Sequence, residues 1–83
     1  MLGLAMQLEL KEMLHQPCAA YPYGLCFDRQ LLGTTFGKIL DATEAEGFLP
    51  FNEWQFSWIG QELHFTTPEL AMLFIMRWQG VDI

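Results

Sequence analysis

The chain has 83 residues, just over half of them apolar, with three Trp, seven Phe and two Tyr; disordered chains lack such residues. That length makes one domain, which buries only roughly 60% of its unfolded surface, so the core must be rich. Ten acids against four bases give a formal charge of −6, too few cations to displace counterions from phosphate; the expectation is no direct nucleic-acid binding, and a protein partner with a basic surface is permitted.

So much apolar surface in so small a domain implies an interface, with a second copy or with another protein. The stretch from Met1 to Met6 has no basic n-region and no long apolar run, so no signal peptide is visible. The longest apolar run, Leu70 to Met76, is far below the ~20 residues of a membrane span. Cys18 and Cys26 are too few for a disulfide scaffold. The expectation is a cytoplasmic protein with reduced thiols and no membrane association.

Met6-Gln7-Leu8-Glu9-Leu10-Lys11 alternates apolar and polar residues, the pattern of a half-buried strand. Its residues are also good helix formers, so a helix over 4–15 competes; the strand is favoured. Gln16 to Gly24 holds Pro17 and Pro22 and reads as a loop. Leu25-Cys26-Phe27 is a short strand or the lead-in to a helix. Leu32, Phe36, Ile39, Leu40 and Thr43 mark one face of an amphipathic helix over about 29–46, with Asp28 as N-cap and Gly47 as terminator.

Trp54, Phe56 and Trp58 alternate with Gln55 and Ser57, and Leu63 and Phe65 flank His64. Gly60-Gln61 between them predicts a two-residue type II′ turn, which would pair Trp58 with Leu63 and Phe56 with Phe65 on one face. Thr67-Pro68 opens a last helix over about 68–79, with Glu69 and Arg77 suited to its dipole and Gly80 as its stop. Every residue from Leu70 to Met76 is apolar, so this helix is covered on more than one side. The expected fold is α+β: a small antiparallel sheet, with the hairpin of about 54–65 at its centre, packed against two helices.

No phosphate-binding loop, metalloprotease helix or serine elbow is present. His15, Cys18, Cys26 and His64 could ligate zinc by type, but their spacing matches no zinc pattern. A Cys–His nucleophile has no sequence support, and Asp41 and Glu44 look too solvated for general-acid work. The expectation is no catalytic residue, no metal and no cofactor.

Asp41, Glu44 and Glu46 crowd a helix C-terminus, where each costs a few tenths of a kcal/mol, and Glu53 follows. They are either a solvated end or a surface for a basic partner. Tyr21 and Tyr23 flank Pro22 and are either interface anchors or folded onto the core. Leu73, Met76 and Trp78 are the candidates for self-association.

Trp54, Phe56, the hairpin, and the run from Phe65 through Thr67-Pro68-Glu69-Leu70-Ala71 to Arg77-Trp78 together resemble short proteins of tailed bacteriophages. The resemblance covers roughly 30 residues. It implies a phage or mobile-element origin and a sheet-plus-helices domain. By analogy it implies an inhibitor of host machinery, of the anti-CRISPR or other counter-defence type. The alternative is a homodimeric structural or assembly protein joined through its last helix.

Overall fold

In a computed structural model that describes residues 7–82, two helices cover one face of a four-stranded antiparallel sheet. The strands are β1 (Leu10–Glu12), β2 (Tyr23–Phe27), β3 (Trp54–Ser57) and β4 (Glu62–Phe65), in the order β1-β2-β4-β3. The helices are α1 (Gly33–Glu46) and α2 (Pro68–Trp78), and a single 3-10 turn spans Phe51–Glu53. Within the hairpin, β4 is interior and β3 forms an edge.

The register places Leu25, Phe27, Leu63, Phe65, Trp54 and Phe56 on one face. On that face Phe74 of α2 packs on Phe65 with centroids 5.7 Å apart, and Phe36 of α1 meets Phe27 edge-on at 6.0 Å. Phe36, Phe65, Phe74, Leu8, Leu25 and Leu63 are the fully buried apolar side chains.

The N-terminal segment is extended, not helical, but it is shifted from the expected strand. Only Leu10–Glu12 joins β2. Leu8 pairs instead with the residues after α2, its N–H donating to the Val81 carbonyl and its carbonyl accepting from Gly80. The favoured alternation holds, with Leu8 buried between exposed Gln7 and Glu9. Met6 and the rest of residues 1–6 lie outside the described residues.

Two turns differ from expectation. Asp28 does not cap α1: its N–H donates to Glu9, prolonging the β1–β2 pairing, and α1 starts at Gly33 after an extended Leu32. Leu32 is therefore exposed rather than part of the buried helix face. The hairpin loop spans four residues, because Ser57 pairs with Glu62 and Phe56 with Leu63. The ladder is displaced by two residues from the expected one, an even shift that leaves each side chain on its face. The left-handed residue is Gln61 (φ 49), not Gly60. Gln61 is buried, and its amide both accepts from the Leu31 N–H (2.7 Å) and donates to the Leu31 carbonyl (2.8 Å). Those two bonds offset the backbone cost and free Trp58 from the ladder.

The expected ends of both helices hold elsewhere. Gly47 is left-handed after α1 (φ 68). Thr67 caps α2 by accepting from the Leu70 N–H, with Pro68 in the first turn. Among the described residues no helix is long and apolar enough to cross a membrane.

Candidate functional site

The strands leave a polar face opposite the helices. There Gln55 Nε2 donates to His64 Nδ1 at 3.0 Å, so His64 Nε2–H donates to Glu62 at 2.9 Å. Cys18 Sγ lies 3.8 Å from the same Gln55 nitrogen. The Gln55 amide thus lies between the Cys18 thiol and the His64 ring. Among the described residues no group of three or more His, Cys, Asp or Glu could hold a metal ion.

The exposed aromatic residues lie elsewhere. Trp58, 54% exposed, stands edge-on to buried Phe36 at 5.1 Å and to Phe56 at 6.1 Å, with interplanar angles of 80° and 88°. The tip of the Trp58 indole lies over Gly37 of α1, where an added Cβ would meet it at an ordinary contact distance of 3.6 Å. Ile59, 97% exposed, and Leu32 extend the patch at the end where Gln61 ties the turn to Leu31. Side chains at i, i+4 and i+7 share a helix face. Gly37, Asp41 and Glu44 therefore line up along α1, and the carboxylates continue from the Trp58 ring toward the α1 C-terminus.

The remaining expected site residues are divided. Glu46 turns to the other side of α1 and is held by Arg77 of α2, which donates from Nε and Nη2 at 2.7–3.0 Å. Arg77 also lies 4.0 Å above the Trp78 ring. The acids at the α1 C-terminus thus have a cationic neighbour. The hydrogen bond to Glu46 raises the Arg77 pKa, opposed by desolvation and aided by the carboxylate charge. A raised base contributes stability at every pH below its unfolded value, so the guanidinium adds no pH dependence near neutrality. The pair is partly exposed. Arg77→Leu is expected to cost no more than about 1 kcal/mol in a thermal melt.

Glu53 is exposed at the end of the 3-10 turn, just before β3. Tyr21 packs beside β3 with its hydroxyl donating to the Asn52 carbonyl at 3.3 Å. Tyr23 is separated from it, 43% exposed in a depression of about 430 Å³ between the β1–β2 end of the sheet and Met72 and Ile75 of α2. The expected self-association face is split. Leu73 and Met76 are exposed beside Met72, but Trp78 is buried. Leu70, Ala71, Phe74 and Trp78 form the inward stripe of α2, and the helical period turns 72, 73 and 76 outward.

Phe56, Trp58, Ile59 and Leu32 are surface residues that periodicity alone does not mark, because alternation defines a common face without saying where the covering helix ends. The available signal was the aromatic excess over what so small a core can hold. Compared with protein-family models, curated proteins and solved structures, the chain matches none.

Proposed function

We propose that this chain is a non-enzymatic protein-binding inhibitor that acts on a protein with a basic surface. The carrying observation is the exposed apolar patch of Phe56, Trp58 and Ile59, with exposed Asp41 and Glu44 on the same face of α1 as Gly37, against which Trp58 lies. Exposed apolar patches of this kind mark interaction sites. Trp is among the residues that dominate binding energy. Trp58 braced on Phe36 loses little freedom on docking, and carboxylates beside it favour a cationic partner. The resemblance of the hairpin and α2 to tailed-phage proteins supports a phage-encoded protein of the counter-defence type, including anti-CRISPR proteins, acting in the host cytoplasm.

A second reading is a homodimeric assembly protein, favoured by exposed Met72, Leu73 and Met76 on α2. Mass in solution by light scattering at low and high salt separates the two. The inhibitor reading predicts a 9.6 kDa monomer at both. A salt-resistant dimer that Met76→Glu splits would favour the assembly reading.

A further inference from the structure

Resting on the protein-binding reading, we infer that the outer edge of β3 takes up an extended segment of a basic partner as an added strand, with a lysine or arginine side chain seated among Tyr21, Trp54 and Phe56. β3 is an edge strand. The Thr66 N–H donates to the Glu53 carbonyl at 3.0 Å. Antiparallel alternation from that bond turns the main-chain groups of Gln55 and Ser57 toward β4, and those of Phe56 outward. Among the described residues nothing hydrogen-bonds to the outward N–H and carbonyl of Phe56.

The two edges of the sheet are treated differently. β1 has three residues and carries Lys11, the kind of short, charged edge that resists added strands. From Trp54 to Gln61, β3 and its turn carry no charge and no proline. An unprotected edge with exposed aromatics is one on which another strand can form.

The seat for a side chain is a depression of about 260 Å³ lined by Tyr21, Asn52, Trp54, Gln55 and Phe56. Gln55 belongs to the opposite sheet face from Trp54 and Phe56, so the depression wraps the strand edge. The Tyr21 ring is fixed there by its bond to Asn52, and the Trp54 and Phe56 centroids are 6.1 Å apart. Aromatic faces attract lysine and arginine. Glu53 adjoins the seat, exposed and without an ion pair among the described residues.

Charge selects the occupant. Of the four bases, Arg77 is bound to Glu46, Arg29 lies 3.5 Å from Asp28, Lys11 is on the far edge of the sheet, and Lys38 is exposed on α1, outside the lining of the depression. A second copy would bring one charge of −6 against another, whereas a basic segment is attracted.

The test is amide hydrogen exchange of the whole chain, read by NMR, with a short peptide alternating Lys and Val and its Glu–Val counterpart. The Lys–Val peptide is expected to slow exchange at Phe56 by about tenfold or more at saturation; the Glu–Val peptide is expected to leave it unchanged. Phe56→Pro, which removes the outward N–H at an edge position that tolerates proline, should abolish binding with the melting temperature retained. Should that variant unfold, the wild-type exchange still decides. Equal slowing by both peptides, or no slowing at Phe56 with either, overturns the inference. So does slowing at Phe56 that grows with protein concentration alone, which would assign the edge to a second copy. Protection confined to α2 overturns edge docking while leaving the protein-binding reading intact. That reading fails separately, if no cellular protein is retained at all.

Discussion

Phe74→Ala is expected to destabilise the protein by about 3–5 kcal/mol, the range for emptying a buried phenylalanine site. Phe74 is fully buried and touches rings on both sides, Phe65 at 5.7 Å and Trp78 at 6.3 Å. It lies at the centre of the inward stripe that α2 packs on the sheet, with Leu70, Ala71 and Trp78, and the neighbouring aromatics are too stiff to collapse into the space. Small domains have only about 5–15 kcal/mol in total, so the variant should be largely unfolded well before the wild type in a urea titration. Met76→Ala, two residues along the same helix but 74% exposed, should stay within about 0.5 kcal/mol of wild type. Equal effects of the two substitutions would contradict the assignment of the inward face of α2.

Gln61→Ala is expected to cost about 2–4 kcal/mol, because it orphans both main-chain groups of buried Leu31. Gln61→Gly removes the same two bonds but relieves the left-handed backbone by about 1 kcal/mol. The expected order of midpoints in urea is therefore wild type highest, Gln61→Gly next and Gln61→Ala lowest. A glycine variant more stable than wild type would mean that backbone strain, and not the amide pairing, governs the turn. The Gln61 bond also holds the turn that presents Trp58 and Ile59, so both substitutions should weaken partner binding beyond their effect on folding.

The fold was legible where local chemistry and pattern agreed. Thr67-Pro68 and Gly80 bracket α2 as their capping chemistry demands, and Gly47 ends α1 in the left-handed conformation that only glycine adopts at little cost. The turn was misjudged because a two-residue loop with glycine first is the commonest local solution, whereas the deciding bond joins Gln61 to Leu31, 30 residues away. Asp28 was misplaced for a related reason: its main chain is engaged by Glu9 in another strand. The candidate surface was legible only in outline. Acidic residues and surplus aromatics were visible, but sequence could not separate Glu46, bound by Arg77, from Asp41 and Glu44 on the Trp58 side. Nor could it separate Trp78, turned inward, from Met76, turned outward. Those distinctions depend on how α1 and α2 roll against the sheet, which is a tertiary property.

The most direct test of the protein-binding reading is stoichiometric capture from a bacterial lysate by the wild-type chain and by two variants. One variant carries Trp58→Ser with Asp41→Lys and Glu44→Lys; the other carries Met72→Ser with Met76→Ser. A partner is expected to be held by the wild type and the second variant, released by raised salt and lost from the first. Retention by the first variant with loss from the second would contradict that expectation and move the binding surface to α2.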